Sequence, residues 1–320
     1  MQGVFLDTDT LNPDEMDFAA LEALMPWTFH PLTRPEERVA RLQDAQVVIT
    51  NKVVLDAATL KACPSLKLIC ICATGTNNVD LEAARERGIT VCNVSGYARA
   101  SVAQHTLTLM LSLATRWHQY DRDVKAGAWS RAAQFCLLNH PIMELAGKTL
   151  GLIGHGDLGR EVARLAEALG MQVLVAESFQ RHGGQSGRVA LAELLPQADV
   201  LSLHCPLTAQ TDKLVNASFI AQMKPGAFLI NTARGGLIDE PALADALRSG
   251  HLGGAGLDVL SSEPPPADHP LLAEDIPNLI ITPHNAWGTR ECRQRLLNGV
   301  VENIRQWQAG SAINVVNASP

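Results

Sequence analysis

Three glycines of the chain have the spacing of a phosphate-binding turn. Gly154, Gly156 and Gly159 form GxGxxG after the apolar run TLGLIG, and apolar residues at helical spacing follow them. In a strand, turn and helix of this kind, the missing side chains let a pyrophosphate approach the backbone, and the free N–H groups at the helix N-terminus bind it. Glu177 ends the next strand-like run, MQVLVAE, where an acid would accept hydrogen bonds from the adenosine ribose hydroxyls. The motif therefore predicts a dinucleotide site, and the acid favours NAD over NADP.

Two arginines follow this acid and leave the preference between the two cofactors open. Arg181 and Arg188 either soften the preference for NAD by attracting a 2′-phosphate or are solvated loop charges.

Polar side chains follow the other strand-like runs of this half of the chain. The runs DVLSLH, GAFLINT, GAGLDV and NLIIT alternate with helical or turn segments, which predicts a parallel, doubly wound sheet. Ligands of such sheets bind at the carboxyl ends of the strands. Those ends carry His204 and Cys205, the segment 232–235, Asp258 with Glu263, and finally His284.

The first hundred residues repeat a smaller α/β pattern without a GxGxxG motif. The runs GVFLD, VVIT, LKLICIC and TVCN are strand-like, with helical patterns such as DEMDFAALEALM between them. The turn ATGTNN (73–78) has small residues that suit a small anion close to the backbone. The last amphipathic segment has no strand of its own and is expected to return to this unit. We therefore predict a substrate-binding domain of residues 1–100 and 290–320, and a cofactor domain of residues 101–289.

Two further segments lie between the N-terminal α/β pattern and the glycine turn. SVAQHTLTLMLSLATRW (101–117) is predicted to be a buried helix, with Ser101 and Gln104 as a capping box. Residues 118–148 have mixed polarity and include Trp129 and Phe135. Because so long a loop is unusual inside a compact domain, we interpret this segment as a dimerisation arm.

Composition excludes several classes of protein. A chain of 320 residues predicts about two domains at roughly 150 residues each. The net charge of −7 gives no electrostatic basis for binding nucleic acid or an anionic membrane. The N-terminus shows no basic and apolar leader pattern, so we expect a cytoplasmic protein. Seven cysteines without CxxC spacing predict buried, reduced thiols and neither a metal site nor disulfides.

Several ordered motifs resemble the D-isomer-specific 2-hydroxyacid dehydrogenases. They are LGLIGHGDLGREVA, LHCPLT, INTARGGLIDE, GLDVLSSEPP and ITPHNAW, with ATGTNNVDLEAARERGI earlier in the chain. The resemblance spans essentially the whole chain and is strongest to the glycerate dehydrogenase and hydroxypyruvate reductase branch. It implies a Rossmann-type doubly wound domain, a smaller flavodoxin-like α/β domain, a homodimer and an NAD cofactor. The implied reaction is hydride transfer between nicotinamide and a small D-2-hydroxy or 2-oxo acid, D-glycerate and hydroxypyruvate first.

The resemblance assigns catalytic roles to three residues. The family's arginine corresponds to Arg234, its acid to Glu263 and its histidine to His284. Reduction of a ketone needs a proton donor that titrates near neutral pH, which suits His284. A carboxylate at Glu263 would orient the imidazole and favour its charged form. The planar guanidinium of Arg234 would bind the substrate carboxylate and polarise its carbonyl, so lysine is expected to fail there.

The resemblance also assigns binding residues. The turn Thr74, Gly75 and Thr76 corresponds to the loop that binds the substrate carboxylate, together with Arg234 and His284, and Asp258 to the acid that meets the nicotinamide carboxamide. The cofactor site would be formed by Gly154, Gly156, Asp157, Leu158, Gly159, Glu177, His204, Cys205, Pro206, Thr211, Thr232, Ala233 and Asp258. Two residues depart from the family pattern: Asn285 stands where an apolar residue is frequent, and Gln104 where a glutamate is common.

Two alternatives stay open at the level of sequence. A dehydrogenase for another 2-oxo acid or for phosphonate would share the cofactor half, and a non-catalytic NADH-sensing corepressor would share the fold. Sequence spacing does not rank hydroxypyruvate over glyoxylate, because pocket shape discriminates one hydroxymethyl group.

Overall fold

The computed structural model describes residues 1–179 and 186–318, which form two compact units. The first unit comprises Met1–Ala98 and Trp287–Pro320, and the second comprises Arg99–Ala286. Arg181, one of the two arginines that left the cofactor preference open, lies outside the described residues.

The strands of the described residues are short and mostly buried. They are β1 (Gly3–Phe5), β2 (Trp27–Phe29), β3 (Val47–Thr50), β4 (Leu68–Ile71), β5 (Thr90–Cys92), β6 (Thr149–Ile153), β7 (Gln172–Val175), β8 (Val200–Leu203), β9 (Phe228–Asn231), β10 (Gly254–Leu257) and β11 (Leu279–Ile281). The α-helices are α1 (Ala19–Glu22), α2 (Arg38–Leu42), α3 (Ala57–Ala62), α4 (Leu81–Glu86), α5 (Arg99–Thr115), α6 (Trp117–Lys125), α7 (Asp157–Ala168), α8 (Leu191–Leu194), α9 (Ala217–Ile220), α10 (Glu240–Arg248) and α11 (Arg290–Gln308).

The first unit is built on a parallel sheet in the order β2-β1-β3-β4-β5. This is the flavodoxin-like strand order, which confirms the fold class predicted for the smaller domain. Helix α11 packs on one face of the sheet through Leu296, Leu297 and Val300. The long amphipathic segment at the end of the chain therefore covers the N-terminal sheet, as its lack of a strand predicted.

One local prediction in this unit is wrong, and one strand was not predicted. The pattern DEMDFAALEALM predicted one helix, but the chain forms a 3₁₀ turn at Pro13–Glu15 and the short helix α1. The sequence reading also missed the edge strand β2, which has three residues and pairs with β1 alone among the described strands. The Trp27 indole donates to the Leu21 carbonyl at 2.9 Å, so α1 ends against this strand. A strand this short has no alternation of its own to detect.

The second unit contains a parallel sheet in the order β11-β10-β9-β8-β6-β7 within its described residues. Beyond β7, an isolated parallel bridge joins Ala176 to Val189. The Val189 N–H donates to the Val175 carbonyl at 2.9 Å, and the Glu177 N–H donates to the Val189 carbonyl at 3.0 Å. Val189 thus occupies the place of the third strand, which gives the strand order of a Rossmann fold. The doubly wound sheet predicted from sequence is confirmed.

Helix α5 begins earlier than its predicted capping box. The helix starts at Arg99, and Ser101 lies inside its first turn, nearly buried. The Ser101 hydroxyl donates to the Ala286 carbonyl at 2.6 Å and does not cap the helix. The motif therefore failed because a tertiary partner competes for the hydroxyl.

Three further findings bear on the classes of protein considered. All seven cysteines are free thiols, and all but Cys136 are buried. Within residues 1–179 and 186–318, no group of three histidine, cysteine or acidic side chains is arranged to hold a metal ion. Of the helices in the described part of the chain, none has both the length and the hydropathy to cross a bilayer.

Candidate active site

The glycine turn after β6 has the shape that a pyrophosphate requires. Gly154 has a φ of 97°, and a Cβ there would lie 2.5 Å from the carbonyl carbon of His204. A Cβ at Gly159 would lie 2.3 Å from the Gly154 carbonyl oxygen, so that glycine lets the helix pack on the turn. At Gly156, the N-cap of α7, a Cβ would meet nothing within 4 Å. The turn therefore packs tightly against the protein at two glycines and leaves open space at the third.

A cleft of about 520 Å³ opens in front of this turn. Of the predicted cofactor residues, Gly154, Gly156, Glu177, His204, Cys205, Pro206 and Thr211 line it. Arg160, Arg188 and Phe179 line it as well. Asp157 and Leu158 begin α7 behind the turn, where the Asp157 carboxylate pairs with Arg160 at 2.5 Å. The cleft lies at the ends of β6 and β8, the two strands at which the strand order reverses direction.

His204 carries an unused polar atom at this cleft. Its Nε2 is 2.9 Å from the Ser202 hydroxyl, while its buried Nδ1 has no hydrogen-bond partner in the described structure. Burial lowers the pKa of His204 to about 4, so its ring is neutral at physiological pH. A buried polar atom without a partner is costly in a finished structure, and a bound ligand would remove that cost. Together with the open space at Gly156, this atom shows that the residues present fit NAD.

Arg234 is held in a turn at the end of β9. The buried Asn231 side chain donates to the Arg234 carbonyl at 2.8 Å and accepts from the Ala233 N–H at 3.0 Å. The Arg234 guanidinium donates to the Ala233 carbonyl at 2.7 Å. No ion pair is found for this guanidinium among the described residues. Its remaining donors are thus available to a ligand carboxylate. The neighbouring Thr232 is hydrogen-bonded to Thr106 of α5 at 3.0 Å.

Glu263 and His284 form a direct hydrogen bond. The Glu263 Oε2 is 2.6 Å from Nδ1 of His284, and the Glu263 Oε1 accepts from the Leu260 N–H at 3.1 Å. The two side chains are 37% and 30% exposed, so both are reachable from solvent. The peptide bond after Glu263 is cis. A carboxylate at Nδ1 fixes the imidazole orientation and leaves Nε2 as the atom that can exchange a proton with a substrate.

Asp258 fixes the backbone that carries His284. This residue is 1% exposed, and its carboxylate accepts from Thr282 Oγ1 at 2.5 Å and from the Asn285 and Ala286 N–H groups at 3.0 and 2.9 Å. Asn285, which departs from the family pattern, takes part in these bonds through its backbone N–H and not through its side chain. Asp258 holds the turn in addition to the contact with nicotinamide that the resemblance implies.

The remaining predicted site residues belong to the first unit. Thr74, Gly75 and Thr76 follow β4 in a turn, where Thr74 Oγ1 donates to the Val94 carbonyl at 3.0 Å and the Asn93 side chain donates to the Thr74 carbonyl at 2.7 Å. The role of this turn in binding a carboxylate stays a prediction.

Sequence reasoning missed a histidine and a buried acid near the site. The His105 Nε2 on α5 is 2.9 Å from Thr282 Oγ1 and 3.5 Å from the Asp258 carboxylate. Glu240 begins α10 and bonds to Ser261, two residues before Glu263. Glu240 is the last residue of the motif INTARGGLIDE, but no nearby residue in the sequence indicates its partner.

Comparison with known proteins supports this reading of the second unit. The model of the "D-isomer specific 2-hydroxyacid dehydrogenase, NAD binding domain" family matches residues 107–286. Glycerate dehydrogenase from Methylorubrum extorquens is 45% identical over 98% of each chain. Hydroxypyruvate reductase from Blautia hydrogenotrophica is 40% identical over 99% of this chain and 100% of its own. The crystal structure of the TT0316 protein from Thermus thermophilus is similar with a TM-score of 0.87 and 38% identity, covering 99% of this chain and 100% of that chain.

The family match covers the glycine turn, the cleft and the Arg234, Glu263 and His284 positions, and the relatives extend the similarity over both units. The cofactor of this chain is NAD, in agreement with the geometry of the turn. The chain belongs to the D-isomer specific 2-hydroxyacid dehydrogenase family.

Proposed function

We propose that this protein interconverts D-glycerate and hydroxypyruvate with NAD(H), with glyoxylate as a second 2-oxo acid substrate. The hydrogen bond of 2.6 Å between Glu263 and His284 carries the proposal, because it provides an oriented proton carrier in the unit that binds NAD. Two relatives that are 45% and 40% identical over nearly the full chain, a glycerate dehydrogenase and a hydroxypyruvate reductase, support the choice of substrate.

In the reduction, bound NADH supplies the hydride that reaches the carbonyl carbon. The His284 Nε2–H donates its proton to the carbonyl oxygen, which becomes the hydroxyl group of the product. In the reverse direction, the neutral Nε2 takes the hydroxyl proton. His284 therefore acts as the general acid in one direction and the general base in the other.

Arg234 binds the substrate carboxylate and polarises the reacting carbonyl. Its guanidinium forms no ion pair with an acid among the described residues, and Asn231 fixes the backbone on both sides of it. A planar, permanently charged fork can donate to two oxygen atoms at once, which an ammonium group cannot do in the same geometry.

Glu263 binds the other ring nitrogen of His284, Nδ1. Its Oε2 accepts from Nδ1, so the ring is held with Nε2 directed away from the acid. The second oxygen is anchored by the Leu260 N–H, which limits rotation of the carboxylate.

A substrate panel tests the reaction. Purified protein is assayed by NADH oxidation, followed by absorbance, with hydroxypyruvate, glyoxylate, pyruvate and longer 2-oxo acids, and by NAD reduction with D- and L-glycerate and with phosphite. We expect the largest kcat/KM with hydroxypyruvate, activity with D-glycerate, and none with L-glycerate. A preference for pyruvate or phosphite would replace the proposed substrate, and binding of NADH without turnover of any acid would favour a non-catalytic role.

Replacement of His284 tests the proposed proton carrier. His284→Ala is expected to lower kcat about 100- to 10,000-fold, the usual contribution of positioned proton transfer, and to leave the Kd for NADH unchanged. His30→Ala, in the other unit, is the matched control and should keep full turnover. Wild-type turnover in His284→Ala would overturn the assignment.

We also propose that the segment 118–148 joins two copies of the chain into a homodimer. Its exposed side chains include Trp129 at 52%, Phe135 at 90% and Leu138 at 78%, and exposed apolar side chains close together in sequence are typical of a protein–protein interface. Within the segment, the Trp129 indole donates to the Phe135 carbonyl at 2.9 Å, so the apolar residues are presented by an ordered backbone.

The mass of the protein in solution tests the dimer. Light scattering should give twice the chain mass of 34.4 kDa for the wild type and a lower mass for Phe135→Ser with Leu138→Ser. Leu272→Ser, which alters another exposed leucine of the same unit, is the control and should stay dimeric. A wild-type monomer at micromolar concentration would refute the proposal.

A further inference from the structure

A polar cluster built around two buried side chains lies beside the candidate catalytic residues and includes none of them. It consists of Glu240, Ser261 and His269, of which Glu240 is 7% and His269 6% exposed. Glu240 Oε1 accepts from the Ser261 N–H at 2.8 Å, and Glu240 Oε2 accepts from the Ser261 hydroxyl and lies 3.0 Å from His269 Nε2. A buried carboxylate with three donors is costly unless each of them is kept.

The hydrogen bonds of His269 define the direction of its contact with Glu240. The His269 Nδ1 accepts from the Leu271 N–H at 3.2 Å, so the proton of a neutral ring lies on Nε2 and points at the carboxylate. All three groups that face Glu240 are therefore donors.

The cluster joins the two loops that carry the catalytic groups. Glu240 ends the loop that starts at Arg234, and Ser261 belongs to the loop that ends at Glu263. Where these loops meet, a Cβ at Gly235 would lie 1.9 Å from the carbonyl carbon of Leu260. The N–H of that same Leu260 donates to Glu263 at 3.1 Å. The loops are thus in direct backbone contact, and one peptide separates the buried cluster from the Glu263 anchor.

We propose that Glu240 and His269 are positioning residues that hold Glu263 against His284. The inference rests on the proposed function, because it assumes that the contact between Glu263 and His284 is used in turnover. Glu240 fixes the Ser261 peptide, the Leu260 N–H then fixes one Glu263 oxygen, and the other oxygen orients the imidazole. The same contact keeps the Arg234 loop in register through Gly235.

Glu240→Gln tests this directly, since it keeps the size of the side chain and removes one acceptor. The new amide must turn its NH₂ group either to the Ser261 N–H or to the His269 Nε2–H, and both of these groups are donors. We expect a fall in kcat of about tenfold or more, equivalent to the loss of one hydrogen bond to a charged group. The Kd for NADH, measured by fluorescence, should stay within about twofold of the wild type, because the cluster lies outside the cofactor cleft. Asp245→Asn, the same chemical change at an exposed position of α10, is the matched control and should not alter kcat.

The double variant Glu240→Gln with Glu263→Gln separates positioning from general stability. If Glu240 acts through Glu263, the double variant loses little more activity than Glu263→Gln alone, and Glu240→Gln moves the alkaline limb of the reductive pH profile in the same direction as Glu263→Gln. A loss that multiplies with that of Glu263→Gln, an unchanged pH profile, or wild-type kcat overturns the proposal. If Glu240→Gln does not fold, Ser261→Ala, which removes only the hydroxyl donor, is put through the same cycle with the same criteria.

The outcome also distinguishes this inference from the proposed function. Wild-type turnover in Glu263→Gln and in His284→Ala would remove both proposals together. Impaired turnover in these variants with wild-type behaviour in Glu240→Gln and Ser261→Ala would remove the positioning proposal alone.

Discussion

Replacement of Glu263 by glutamine isolates what its negative charge does for His284. In the wild type, two donors converge on this carboxylate, the Leu260 N–H at 3.1 Å and the His284 Nδ1–H at 2.6 Å. Glutamine has one carbonyl oxygen, so it can accept from only one of the two. The backbone N–H cannot lose its proton, whereas the imidazole can. The amide is therefore expected to turn its NH₂ group to His284. Nδ1 of the imidazole then accepts, so the ring proton lies on Nε2 and the ring is held in the wrong tautomer to act as a base.

The size of the effect follows from the exposure of the pair. A hydrogen bond between charged groups contributes about 1.5 to 3 kcal/mol, and we take about 1.5 kcal/mol because both side chains are about a third exposed. At 1.36 kcal/mol per factor of ten, loss of this bond should lower kcat/KM about tenfold in both directions.

The assay is kcat/KM for hydroxypyruvate and D-glycerate between about pH 5 and 10, with the Kd for NADH measured in parallel. Glu274→Gln makes the same change at an exposed glutamate of the same unit and should reproduce the wild-type profile. If kcat/KM of Glu263→Gln equals that of the wild type in both directions, Glu263 does not position the imidazole and the reasoning fails.

Three other substitutions are expected to give distinct outcomes. Arg234→Lys should lower kcat/KM about 10- to 100-fold through loss of a charge-assisted bond to the substrate carboxylate, whereas Arg305→Lys, at an exposed position of α11, should have no effect in the same assay. Gly156→Ala should keep the wild-type Tm, because nothing lies within 4 Å of the new Cβ, and should raise the Kd for NADH, because the methyl group fills the space for the pyrophosphate; an unchanged Kd would contradict the assignment of the turn. His204 has a folded pKa of about 4, below its unfolded value of 6.5, so the wild type should lose stability as the pH falls from 6.5 to 4, by at most about 3 kcal/mol. In urea unfolding, His204→Asn should lose less over the same range, and an equal loss would show that the ring is not the cause.

The parts of the fold that follow from a repeating pattern could be predicted from the sequence. The runs 149–153 and 200–203 are apolar because their strands are buried on both faces. The sequence therefore predicts that these runs are strands of a parallel sheet. Parallel strands place their carboxyl ends on one edge, which is why Arg234 and His284 could be expected at a common site. Elements fixed by a single tertiary contact could not be predicted. The edge strand β2 and the hydroxyl of Ser101 each depend on a partner remote in the chain.

The second group of unpredicted features concerns how the site is held. Glu240 and His269 are far apart in sequence, lie at the start of a helix and in a loop, and share no periodicity that would join them. The packing of Gly235 on Leu260 brings together the loops that carry Arg234 and Glu263, and a glycine in a sequence does not indicate which backbone it touches. The residues that touch a substrate therefore follow from motifs, whereas those that hold them follow from packing.

The backbone of His284 shows why such supporting residues are needed. His284 has a φ of 52°, in the left-handed region that side chains other than glycine adopt at a cost of about 1 kcal/mol or more. Its N–H donates to the Asp258 carbonyl at 2.8 Å, and the Asp258 carboxylate accepts from the next two N–H groups. These bonds, made in a buried position by a residue of a different strand, offset that cost and select one orientation of the turn. A neutral asparagine at position 258 would keep fewer of them, so the direction in which the imidazole faces depends on Asp258 as much as on the motif that contains His284.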